Sequence, residues 1–193
     1  MKLIVTVFSI LLTMAIHAQQ PLLIEYAAVS KFHWGLFEGK INPDHLAQMG
    51  QNTGAVTVSS ISISTQQTST KEASVLITAR FHTKESWTRF PNLSQPTEAL
   101  NHERRHLDIT EIYARKLRQA VSKTRFSSKN FMKELDRLFN DFVTQHRAEQ
   151  VRYDHDTNHS TVAEQQRHWD KKIDQWLEEL SDFSAPEQKI GLY

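Results

Sequence analysis

The chain has 193 residues, 39% hydrophobic and 23% charged, the profile of a globular domain long enough to bury a core. Its 23 basic and 22 acidic residues leave a formal net charge of +1, which gives no electrostatic footprint for nucleic acid. With 0 cysteines, it excludes disulfides, thiolate metal sites, cysteine nucleophiles and a cysteine-borne lipid anchor, so any metal site must be built from histidine and carboxylate.

Residues 1–18 read as a secretory signal peptide. Lys2 supplies the positive end, Leu3 to Ile16 is mostly apolar and uncharged, and Ala18 suits the position before a cleavage. The apolar stretch is short for a membrane span and polar Gln19 and Gln20 follow it, so no stable membrane anchor is expected after cleavage. Export, to a periplasm or to the medium, follows from this reading. Residues 19–185 then form one domain, with a β-rich half over 19–92, a helical half over 93–185, and a frayed tail over 186–193 marked by Pro186 and Gly191.

Residues 22–34 contain a strand. Over 54–64, Val56 and Val58 alternate in one phase and Ile61 and Ile63 in the other, which predicts a bulge or a strand covered on both faces. Residues 73–82 alternate cleanly, with Val75, Ile77, Ala79 and Phe81 on one face, and the polar link Thr65 to Glu72 closes a hairpin. From Glu98 the period becomes helical, with Thr97 as N-cap. His102, His106, Ile109, Tyr113, Leu117 and Ala120 fall on one side. Arg115, Lys116, Arg118, Lys123 and Arg125 read as a solvated basic face late on that helix. A second helix runs from about Ser128 to Glu149, burying Phe131, Leu135, Leu138, Phe139, Phe142 and Val143. A charged loop, Arg152 to Ser160, interrupts it. Thr161 and Glu164 form a capping box for a third helix that buries Val162, Trp169, Ile173, Trp176, Leu177 and Leu180. The fold class is therefore α+β: an N-terminal antiparallel sheet packed against about three helices, the first a zincin-like active-site helix.

The chemistry lies in His102-Glu103-Arg104-Arg105-His106. Two imidazoles four residues apart share a helix face and can bind one metal ion, and the intervening glutamate can take a proton from a water activated there. Both histidines continue the apolar stripe, which sets a zinc site at the edge of the core. A third ligand is open among His146, Glu149 and the segment Tyr153 to His159. Asp108 and Glu111 point away from the histidine face. Tyr153 is a candidate to stabilise an oxyanion or to serve as a structural hydroxyl. No Gly-rich phosphate loop and no GxSxG is present. Asp154 and Asp156 lack the spacing of a calcium loop.

The stretch Leu100 to Arg115 around this pentapeptide resembles the bacterial family DUF922, whose members are described as predicted secreted zinc-dependent proteases. Trp34, Phe37 and Gly39 resemble its early Trp-x-x-Phe-x-Gly element and Ser86-Trp87 its Ser-Trp. Tyr153, Asp154, Thr157 and His159, followed by Gln166 and Trp169, resemble its downstream block. The resemblance implies that His102, His106 and His159 hold Zn2+, that Glu103 is the general base, and that Asp154 orients a ligand. Arg105 and Ser160 depart from it, standing where the family pattern has glycine. The function expected is a secreted zinc metallopeptidase acting on a peptide or protein substrate. The alternatives are a non-catalytic exported binding protein with a structural or vestigial zinc site, and a cell-wall peptide amidase.

Overall fold

The computed structural model describes residues 23–41, 43–50, 53–90 and 97–193. The expected signal peptide and Leu22 lie outside these residues, as do Pro96 and the side chain of Thr97 with its expected cap. No described helix is long and apolar enough to cross a membrane. The elements run β1 (Leu23–Glu25), α1 (Pro43–Met49), β2 (Ala55–Val56), β3 (Ser59–Ser69), β4 (Glu72–His82), β5 (Trp87–Thr88), α2 (Thr97–Lys123), α3 (Phe131–Thr157), α4 (Ala163–Glu179) and β6 (Glu187–Gly191). The architecture is α+β, antiparallel strands followed by three long helices, as the hydrophobic periods predict.

The strand β4 is the centre of the sheet. One edge pairs along its length with β3; the other pairs with β1 near residues 80–82 and with β6 near residues 72–76. Its alternation sends Ala73, Val75, Ile77, Ala79 and Phe81 inward. The expected frayed tail is therefore a strand: Lys189 and Ile190 continue the alternation, and Ile190 is buried against the same core. The phase shift over 54–64 also has a definite cause. The chain leaves one ladder for another at Thr57 and Val58, so β2 pairs only with β5, as a separate two-stranded sheet, while β3 begins the main hairpin.

Two elements noted in the sequence meet here. Gly39 donates its backbone N–H to Ser86 O at 2.8 Å, and a Cβ on Gly39 would stand 2.7 Å from that oxygen. Only glycine allows this approach. Trp34 and Phe37 pack with Phe32, Phe81 and Phe90 in a small aromatic cluster. The Ser86 hydroxyl accepts from Val58 N at 2.9 Å and so pins the junction of β2 and β3.

Helix α2 is buried on more than one side, because it lies between the sheet and the other two long helices. Ile109, Ile112, Leu117 and Val121 enter the main core with Val75 and Ile77; Leu107 enters the aromatic cluster. Arg118 is not part of a solvated basic face. It is 2% exposed, bonds Glu111 at 2.9 Å, and donates to Ile77 O at 2.8 and 3.0 Å. Helix α4 begins at Ala163, but Thr161 turns its hydroxyl to Asn158 O and makes no capping box, and Val162 stays exposed.

Glu111→Ala would leave the Arg118 guanidinium buried without its countercharge. A loss of about 3–5 kcal/mol in urea-unfolding stability is expected. A change under about 1 kcal/mol would show that the pair is not what holds α2 on the sheet.

Candidate metal centre

The expected loop over Arg152 to Ser160 is for the most part helix. Helix α3 runs unbroken to Thr157 because Tyr153 and Thr157 continue its buried face at intervals of four from Glu149, and the Thr157 hydroxyl bonds Tyr153 O at 2.7 Å. The helix then ends in a left-handed turn, with φ of 44°, 52° and 72° at Asn158, His159 and Ser160. This continuation sets Asp154 opposite His102 and His106.

The three side chains converge. Asp154 Oδ1 lies 3.1 Å from His102 Nε2 and 3.0 Å from His106 Nε2, and the two Nε2 atoms are 3.2 Å apart. Donors at 2.0–2.1 Å around a tetrahedral zinc stand about 3.3 Å from one another, so this triangle fits one face of such a site. His159 joins from the rim. Its Nδ1 lies 3.5 Å from Asp154 Oδ1, and His102, Asp154 and His159 have donor atoms within 4.8 Å of one another. These residues could hold a metal ion.

Two glutamines fix the direction of both imidazoles. The Gln166 amide nitrogen donates to Asp170 Oδ1 at 3.0 Å, and a carboxylate only accepts, so Gln166 Oε1 must face His102 Nδ1, 3.1 Å away. Gln150 donates to His106 O at 2.9 Å and turns its Oε1 to His106 Nδ1 at 2.6 Å. Both Nδ1 atoms therefore carry hydrogen. Both Nε2 atoms, the ones in the triangle, are left to bind a cation. Gln150 was not singled out in the sequence. His146, Gln150 and Asp154 recur every four residues on α3, a signal that is visible once the helix is continued past Glu149.

The electrostatics couple these groups. Burial alone would lower the pKa of His106, but the charge and hydrogen bond of Asp154, followed by the charge of Glu103, push it up to about 9. Burial would likewise raise Asp154, yet His106 and His102 hold it well below the usual carboxylate range.

The other candidates separate cleanly. Glu103 is 6% exposed, and its Oε2 has no hydrogen-bond partner among the described residues. Tyr153 cannot serve as an oxyanion donor in this arrangement. It is fully buried behind the histidines, stacks on the His102 ring at 4.6 Å, donates to His102 O and accepts from Gln166. Burial raises its pKa further above the usual phenol range. His146 Nε2 is taken up by the Gln150 amide at 2.9 Å, with Thr110 also 2.9 Å away, and burial lowers its pKa to about 4. Glu149 faces Tyr113 and Lys172, away from the triangle. Asp108 bonds Tyr26, Arg104 and Arg105, and Glu111 bonds Arg115 and Arg118. Arg105 lies to the side, tying α2 to α4 through Asp170 and Asp174.

A cleft of about 1030 Å³ opens over the triangle. One wall is the segment from Gly54 to Ser59, the floor includes His102, Glu103 and His106, and the rim includes Asn158 to Thr161. The Thr57 hydroxyl donates to Glu103 O at 3.1 Å, which locks the wall to the floor.

Residues 14–160 match the family DUF922, described as a bacterial protein of unknown function, and the chain belongs to that family. No curated protein and no solved structure matches it. The family match covers all four donor residues and Glu103 and stops before Gln166.

Replacing Gln150 or Gln166 by leucine is expected to weaken binding of a divalent metal by about 10–100-fold while leaving the fold intact. Competition with a chelating dye reads this directly. Unchanged affinity in both variants would mean that the amides do not orient the imidazoles.

Proposed function

We propose that this DUF922 protein is an exported zinc-dependent peptidase, with His102, His106 and Asp154 as the constant metal ligands and Glu103 as general base. One observation carries the reading: a buried Glu103 oxygen without a partner among the described residues, beside three convergent donors, at the floor of an open cleft. A buried carboxylate oxygen is costly to leave unpaired, so this one calls for a proton donor entering from the cleft. Water is the smallest such donor.

Zinc, when bound here, supplies a Lewis acid that acidifies a water and polarises a carbonyl. The protein does the rest. Glu103 takes a proton from the attacking water as the new C–O bond forms, and returns it to the nitrogen as the C–N bond breaks, which yields a free acid and a free amine. Gln150 and Gln166 keep the imidazoles aligned through the cycle.

The cleft wall supports a peptide as substrate. Gly54 O accepts from Arg89 N on the β5 side, and Val58 bonds Ser86 and His82 on the same side. Backbone groups alternate along a strand, so those of Ala55 and Thr57 are directed away from β5, where they have no backbone partner among the described residues and can pair with an extended chain. Export rests on Lys2, the apolar run to Ile16 and Ala18.

A binding role with a filled site has one observation in its favour, the fourth donor His159. An amidase acting on cell-wall peptides would use the same residues on a different chain.

Purified protein is expected to hold about one zinc per chain, and Glu103→Gln to keep the metal while hydrolysing casein-derived fluorogenic peptides about 10²–10⁴-fold more slowly. Wild type without near-stoichiometric zinc under chelator-free conditions would sink the metal reading. Full hydrolysis by Glu103→Gln would sink the mechanism. Turnover of cell-wall peptides but not casein peptides would select the amidase, and a zinc-loaded protein inert to both would select the binding role.

A further inference from the structure

We propose that His159 is a displaceable fourth donor: it closes the open side of the site formed by His102, His106 and Asp154, and yields that place to an incoming oxygen ligand. This rests on the metal reading above and adds a gate to it.

The four donors are mounted differently. His102 and His106 stand on the buried turns of α2, each with its Nδ1 held by a glutamine. Asp154 stands on the last turns of α3, its side chain 18% exposed. The His159 side chain is 50% exposed and lies off the helix. Its ring has Asp154 as its one partner among the described residues, and no glutamine orients it. A ligand meant to stay is usually fixed by a second hydrogen bond, and His159 lacks one.

Its backbone is also built to let go. Asn158, His159 and Ser160 all have positive φ, a region that side chains with a Cβ disfavour, and none of the three is glycine. The bonds that hold the turn are local: His159 N to Asp154 O at 3.1 Å, Asn158 N to His155 O at 3.3 Å, and Thr161 N to Asn158 O at 3.2 Å. The turn lies on the cleft rim, so it can open without disturbing the core. A zinc site with four protein donors is closed, and one with three has room for a reactant. His159 lets one chain adopt both states. Any small metal ligand must then compete with it, and its apparent affinity falls by the fraction of molecules that are open.

The test uses the full chain loaded with cobalt(II), as wild type, His159→Ala and Asp154→Ala, titrated with acetohydroxamate and followed by the visible ligand-field bands. Metal affinity is measured separately by competition with a chelator. His159→Ala is expected to keep one metal, with affinity within about tenfold of wild type, and to bind acetohydroxamate at least about fivefold more tightly. Asp154→Ala is expected to lose metal affinity by more than about 100-fold. If His159→Ala loses metal as severely as Asp154→Ala, His159 is a permanent ligand and the gate is wrong. If metal-loaded His159→Ala binds acetohydroxamate no more tightly than wild type, His159 is a rim residue and the gate is wrong. Either result leaves the peptidase reading standing, whereas a wild type that takes up no metal overturns both.

Discussion

Two imidazole nitrogens and a carboxylate oxygen are held within about 3 Å of one another, out of bulk water, where their lone pairs repel unless a positive charge, a proton or a metal ion, is shared among them. Most of the helical half serves that constraint. Helix α2 presents both histidines from a backbone buried between the sheet and the other helices. Helix α3 runs well past its hydrophobic stretch to bring Asp154 across. Helix α4 contributes Gln166, and the ion pairs of Arg105 with Asp170 and Asp174 keep it in register with the first histidine. Loosening any one of the three would separate the donors.

The β half contributes shape more than chemistry. Gly39 lies close against the backbone at Ser86, Ser86 pins Val58, and Thr57 bonds the carbonyl of Glu103. A chain of short contacts thus runs from the aromatic cluster through the cleft wall to Glu103. It explains why the Trp34–Phe37–Gly39 and Ser86–Trp87 elements accompany the histidines although none of them offers a ligand.

The sequence made the fold class legible, together with the three helices, the β3–β4 hairpin and the inward-facing histidine pair on α2, because each of these follows from a regular hydrophobic period. It misled where polar residues hid a regular backbone. Asp154, Asp156 and Asn158 are poor helix formers, so the end of α3 read as a loop; the tertiary burial of Tyr153 and Thr157 overrides that preference. The same misreading left Asp154 as one candidate among several in the segment Tyr153 to His159, and Gln150 without a role. Pro186 and Gly191 read as the marks of a loose end, yet the residues between them complete the sheet through backbone bonds that composition does not reveal. The phase shift after Val58 was visible, but its meaning, a change of partner strand, depends on contacts distant in sequence.

The pairing of Glu187–Gly191 with β4 also affects how the protein is made. The edge of β4 from Glu72 to Leu76 gains its second neighbour from residues synthesised more than a hundred positions later. Until they arrive, a strand of alternating apolar side chains has an open edge, a template on which another chain can dock. A nascent or truncated chain that ends after α4 would carry all four candidate donors and still tend to aggregate. Quality control during synthesis therefore acts on the last strand as much as on the helix that carries the two histidines.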